Sequence, residues 1–307
     1  MTKGSGMRIG FALPQFGGAA HQADQVAGFA RSIEAMGADG LWVGDRLLAP
    51  VNPTVGYGGG TTIPEEFHAV LDPFVLMTIA ATVTERVQIG TNVLNAPWYA
   101  PAVLARALTG IDQLSRGRLL VGLGVGWSPE EYEAAGIPMS ERGARLDECL
   151  DALEALWTTD PAEYHGEYWS VPATHANLKP AQTPRPPIYL AGFAPRAMER
   201  TARRADGWLP VFRPGLREFD PQAFIIKPLT RIRQLAEEAG RDPRSIGAVL
   251  RVYPTETGTV EQCAEVLLRA EAEAGIDNAF VDLFAIADSV KHMEELAQRV
   301  LDLVRRG

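Results

Sequence analysis

Eight short runs rich in Val, Ile and Leu recur along this chain, and stretches with helical apolar spacing fill the intervals between them. That alternation limits the fold severely. A parallel neighbour is reached only through a crossover of a dozen or more residues, so strands separated by helices run parallel, and parallel sheets need helices over their faces. The expected strands are Arg8 to Leu13, Gly40 to Gly44, Val87 to Leu94, Arg118 to Leu123, Pro187 to Ala191, Gly207 to Val211, Ser245 to Val252 and Asn278 to Leu283. Helices are expected over Ala23 to Met36, Pro73 to Thr82, Ala102 to Leu114, Ser140 to Trp157, Arg196 to Arg204, Pro221 to Ala239, Val260 to Ala274 and Val290 to Arg305. Gly37, Gly240 and Gly275 stand where helix C-termini want a left-handed residue. Eight parallel strands without an evident terminal edge favour closure, which makes the expected class an α/β (β/α)8 TIM barrel; an open doubly wound sheet is the alternative. At 307 residues the chain suits one such domain over residues 1 to 307, because a barrel takes about 250 residues and no linker divides the pattern.

Composition removes several functional classes. A net charge of -9 weighs against nucleic acid as the main partner, since phosphate binding draws on clustered Lys and Arg. No run approaches the roughly 18 to 20 apolar residues of a membrane span, and MTKGSGMRIG lacks the apolar core of a secretory signal. Residues 1 to 6 read as a loose tail and cytoplasmic residence as the default. Cys149 and Cys263 lie in helical patterns without metal-ligand spacing. His21, His68, His165, His175 and His292 are scattered, so no metal site is expected. Two segments, 46 to 71 and 160 to 186, exceed ordinary loop length and ask for a functional reason. The first reads as a lid or turn and carries His68, an acid–base candidate; the second reads as a hairpin followed by an extended crossing segment.

In a parallel barrel the site lies at the C-terminal ends of the strands, which directs attention to the residues just after each apolar run. These include Gln15 after the first strand, Asp45 and Arg46 after the second, and Thr91, Asn92 and Val93 at the third. Gly126, Trp127 and Tyr132 follow the fourth, and Ala191, Gly192, Phe193 and Ala194 the fifth. The turn Ala191-Gly192-Phe193-Ala194-Pro195 opens a helix, so its amides and the helix dipole suit an anion, with Arg196 and Arg200 as further positive charge. Gly122-x-Gly124-x-Gly126 follows a strand, but Pro129 and Glu130-Glu131 stand where a dinucleotide site needs another glycine and a phosphate-binding helix. No G-x-S-x-G elbow is present.

Several blocks together resemble the luciferase-like monooxygenase superfamily, in particular its branch using the deazaflavin coenzyme F420. They are IGTNVL, IDQLSRGRLLVGLGVGW, EEYEAAGIP with ERGARLDECL, and AGFAPRAMERTARRADGW. The resemblance implies a barrel with insertions at its mouth, the cofactor phosphate on the Gly192 turn, and a non-prolyl cis peptide at Asn92-Val93 beneath the cofactor ring. It places Tyr132 near the cofactor's ribityl or phosphate portion and suggests a homodimer formed through the early barrel helices. Phe193 stands where the family usually has Gly. Sugar-oxidising deazaflavin dehydrogenases of the family carry Asp-His where this chain has Asp45-Arg46. Arginine stays protonated and cannot take a proton from an alcohol, so a reductase or an oxygenase is favoured, with Arg46 holding an anionic or carbonyl substrate. The expected activity is hydride exchange between F420 and a small organic substrate. The alternatives are a two-component monooxygenase using FMN and oxygen, and a barrel that binds a ligand without catalysis.

Overall fold

The computed structural model describes residues 6 to 306; the expected tail lies almost wholly outside the described residues. Thirteen strands and nine α-helices alternate over them. The strands are β1 (Arg8–Ala12), β2 (Gly40–Val43), β3 (Gln88–Thr91), β4 (Leu94–Asn95), β5 (Leu119–Gly124), β6 (Ala162–His165), β7 (Ser170–Thr174), β8 (Ile188–Ala191), β9 (Gly207–Leu209), β10 (Val211–Phe212), β11 (Gly247–Ala248), β12 (Leu250–Val252) and β13 (Asn278–Val281). The helices are α1 (Val26–Ala35), α2 (Pro73–Val83), α3 (Pro101–Leu114), α4 (Pro129–Ala134), α5 (Arg142–Thr158), α6 (Pro195–Arg204), α7 (Lys227–Glu238), α8 (Val260–Ala274) and α9 (Val290–Arg306).

Every pairing within the main sheet is parallel, and the sheet closes on itself. Its eleven strands make eight staves, because β3–β4, β9–β10 and β11–β12 are each one stave broken in the middle. The break in the third falls at Asn92-Val93, whose peptide is cis. Pro210 interrupts the sixth, since it has no N–H for the ladder. Across that break the sixth and seventh staves stay joined by Val249 N–H donating to Trp208 O at 3.1 Å and Arg251 N–H to Pro210 O at 2.9 Å. The expected seventh strand starts two residues late, because Pro243–Ser245 forms a short 3-10 turn capped by Asp242. Residues 162 to 174 form a separate antiparallel hairpin, β6–β7. The pattern missed α4, which is too short to show helical periodicity.

Helix ends follow the local sequence. Asp72 caps α2 by accepting from Val75 N–H, Thr259 and Gln262 form a reciprocal capping box on α8, and Gly275 closes α8 at φ 65. Three apolar layers result. Most of the core lies between staves and helices. The barrel lumen is filled by Ala12, Trp42, Leu120, Leu209, Val249 and Phe280, with Trp42 stacked on Phe280 at 4.5 Å. Gly90 makes this plug fit, because a Cβ there would fall 2.4 Å from the Trp42 ring. Above the plug, Phe16, Ile63, Phe67, Tyr253 and Phe284 form a third cluster that roofs part of the mouth. Segment 46 to 71 supplies two of these residues, so it packs down on the barrel.

Candidate active site

Between the lumen plug and the aromatic roof lies a cleft of about 290 Å³ at the C-terminal ends of the staves. Of the residues singled out by strand position, Asp45, Arg46, Asn92, Val93, Gly126, Trp127, Ala191 and Gly192 line it. The others do not. Gln15 is buried and spends its amide on the chain, accepting from Gly44 N–H at 2.7 Å and donating to Gly44 O and Leu71 O. Thr91 likewise ties the third stave to the fourth, donating its hydroxyl to Gly122 O and accepting from Gly122 N–H. Tyr132 donates to Val125 O and packs edge-on to Trp98. Phe193 and Ala194 lie exposed on the rim, and His68 faces outward into a different hollow beside Glu65, Glu66 and Glu256.

Asp45 accepts from Asn95 N–H at 2.9 Å and from the Tyr99 hydroxyl at 3.0 Å. Burial outweighs these bonds and pushes its carboxyl up to about 6. The same surroundings push the Tyr99 phenol upward. Arg46 is 8% exposed. Its guanidinium stacks over Trp127 at 4.6 Å and Phe67 at 5.2 Å, donates to Leu48 O, and stands 3.3 Å from Glu131. Burial draws Arg46 downward and Glu131 upward, each shift opposed by the charge of the other. Glu131 Oε1 also accepts from Leu47 and Leu48 N–H, while its neighbour Glu130 accepts from Thr54 N–H. The acidic pair that argues against a dinucleotide site therefore anchors the start of segment 46 to 71.

Among the further lining residues, Tyr57, Asn95 and Arg251 carry polar groups that strand position did not single out. Arg251 rises from the seventh stave, pairs with buried Asp282, and donates to Asn92 O at 3.3 Å. The cleft holds a surplus of donors: Arg46 Nη1, Asn92 Nδ2 and Arg251 Nε are buried and lack a hydrogen-bond partner among the described residues. A ligand rich in acceptor oxygens would satisfy them.

The turn beside the cleft opens α6. Gly192 has φ 131, where a Cβ would also lie 2.7 Å from Ala197 Cβ. Its carbonyl accepts from Trp208 Nε1, and the Phe193 ring packs edge-on to the same indole at 5.1 Å. The amides of Phe193, Ala194 and Arg196 have no acceptor among the described residues. Arg200 is not available to an anion there, because Asp147 chelates it. No cluster of potential metal ligands occurs among the described residues, and no helix there is long and apolar enough to cross a membrane.

The luciferase-like monooxygenase family model matches residues 7 to 305. The chain belongs to that family. An uncharacterised protein of Mycobacterium tuberculosis is 34% identical over 217 residues, covering 69% of this chain and 71% of that protein. A phthiodiolone/phenolphthiodiolone dimycocerosates ketoreductase of Mycobacterium bovis is 32% identical over 224 residues, covering 69% of this chain and 55% of the relative. Among solved structures, the monooxygenase RslO1 of Streptomyces bottropensis superposes with a TM-score of 0.72 at 21% identity, covering 98% of both chains. An F420-dependent secondary alcohol dehydrogenase in complex with an F420-acetone adduct superposes with a TM-score of 0.73 at 17% identity, covering 97% of this chain and 99% of that one. At these identities the two structures speak for the fold. They agree with the closed barrel described above.

Proposed function

We propose that this luciferase-like protein is an F420-dependent oxidoreductase that passes hydride to the carbonyl carbon of a small organic substrate. The observation that carries the reading is the donor surplus in an aromatic-walled cleft: Arg46 Nη1, Asn92 Nδ2 and Arg251 Nε await acceptors. A deazaflavin fits this set, since its flat ring carries carbonyl oxygens and its phosphate matches the open amides beyond Gly192. Asn92, Arg251 and the Gly192 turn would hold it, and when bound it supplies the hydride. Arg46 remains charged and, lying beside Trp127, orients a substrate oxygen and stabilises the negative charge that develops there. The roof of Phe16, Phe67 and Tyr57 excludes water. The ketoreductase relative supports carbonyl reduction, and the alcohol dehydrogenase neighbour supports the deazaflavin.

Equilibrium titration of the purified chain with F420 and with FMN, followed by fluorescence quenching, tests the proposal. Tight F420 binding with negligible FMN binding is expected. The reverse would select a monooxygenase using FMN and oxygen, and silence from both would leave a barrel without a redox cofactor.

A further inference from the structure

Carbonyl reduction needs a proton as well as a hydride, and the cleft contains few groups that could deliver one. Asp45 is engaged as an acceptor, its Oδ2 accepting from both the Asn95 N–H and the Tyr99 hydroxyl. Arg46 and Arg251 hold their protons too tightly. Tyr132 is bonded to Val125 O, and His68 lies outside the cleft. Tyr57 remains. It lines the cleft, and its hydroxyl has no hydrogen-bond partner among the described residues.

The loop around Tyr57 is built to hold its ring. Tyr57 N–H donates to Thr62 O, and its own carbonyl accepts from Gly60 N–H. The ring packs on Phe67 at 4.9 Å and Trp127 at 5.6 Å, the same two rings that flank the Arg46 guanidinium. Arg213 covers the ring at 5.2 Å, and the phenol acts electrostatically on both Arg46 and Arg251. Tyr57 and the free Nη1 of Arg46 thus share one wall of the cleft.

We infer that Tyr57 is the proton donor of the reaction, acting on the same substrate oxygen that Arg46 orients. The inference rests on the carbonyl-reductase reading. With hydride supplied to the carbonyl carbon by a reduced deazaflavin, the C=O π pair moves to oxygen and that oxygen takes the proton of Tyr57 Oη. The alcohol leaves, the phenolate regains a proton from water, and the hydroxide so formed is neutralised by the ring N–H proton released as the cofactor becomes oxidised.

The test compares wild type with Tyr57→Phe, which keeps the ring packing and removes only the hydroxyl. Reduced F420 is used with acetophenone, cyclohexanone and benzaldehyde as probe carbonyls, and F420 affinity and the thermal midpoint are measured alongside. For the carbonyls that wild type reduces, the variant should lose about 100-fold or more in kcat, with a larger solvent deuterium isotope effect and F420 affinity within about twofold of wild type. A variant kcat within about threefold and an unchanged isotope effect would overturn the role of Tyr57 while leaving the reductase reading standing. Parallel loss of F420 binding and turnover, with an unchanged isotope effect, would also overturn it by showing a packing role. If wild type reduces none of the three, the reductase reading and this inference fall together.

Discussion

Replacing Arg46 with Met should expose how strongly the site depends on a buried ion pair. Methionine keeps most of the aliphatic stem against Trp127 and Phe67 but removes the charge. Glu131, with a side chain 1% exposed, then loses its guanidinium partner at 3.3 Å and keeps only the Leu47 and Leu48 amides. Breaking a buried pair from one side costs about 3–5 kcal/mol, and the two remaining amides argue for the lower end, about 3 kcal/mol. At roughly 2 °C per kcal/mol for a chain this long, the thermal midpoint should fall by about 6 °C. The deficit depends on pH in a definite sense. Burial already raises the Glu131 carboxyl above its ordinary value of 4.5, and Arg46 is the first of the groups that lower it. Without Arg46 the folded state binds that proton more tightly still. A carboxyl raised on folding loses stability as pH climbs from its unfolded value through its folded one, so the deficit should be small below about pH 4.5 and complete in mild alkali. Urea unfolding of wild type, Arg46→Met and Arg46→Met/Glu131→Gln at about pH 5 and about pH 8 measures this. The double variant should recover most of the loss at the higher pH. A single variant within about 1 kcal/mol of wild type there, or an equal deficit at both pH values, would show that Glu131 does not depend on the Arg46 charge.

Asp45→Asn should behave in a related way: with the carboxyl pushed up to about 6 from 3.8, wild type loses stability relative to the variant as pH rises through that window. The variant should be the more stable by about 2 kcal/mol near neutrality in urea unfolding, and no difference between the two pH profiles would contradict the burial of that charge. Gly192→Val places a β-branched residue at φ 131 and a Cβ 2.7 Å from Ala197, so it should cost about 2–3 kcal/mol and weaken F420 binding; unchanged affinity would remove the turn from the site.

Much of the barrel could be read from apolar periodicity because a stave buried on both faces leaves a continuous run, as Leu119 to Gly124 does. The residues that follow such runs reach the mouth by geometry, which is how Asp45, Arg46, Asn92 and Gly192 came to line the cleft. Position alone does not say where polar atoms are spent. Gln15, Thr91 and Tyr132 stand at stave ends like their neighbours, yet each satisfies backbone groups. Arg251 was hidden within a strand run, where the direction of a side chain depends on register. Tyr57 comes from a loop whose path is fixed by contacts distant in sequence, among them Glu130 to Thr54 and Glu131 to Leu47. The glycines around Tyr57 were the only local sign of it.

In the proposed reaction hydride passes directly from a deazaflavin to a carbonyl carbon. Reduced F420 deuterated at its transferable ring position, incubated anaerobically with the chain and acetophenone, tests it by mass spectrometry of the product. The expected product is 1-phenylethanol with deuterium on the carbinol carbon. Unlabelled alcohol, or oxidation of the reduced cofactor only when oxygen is admitted, would contradict it.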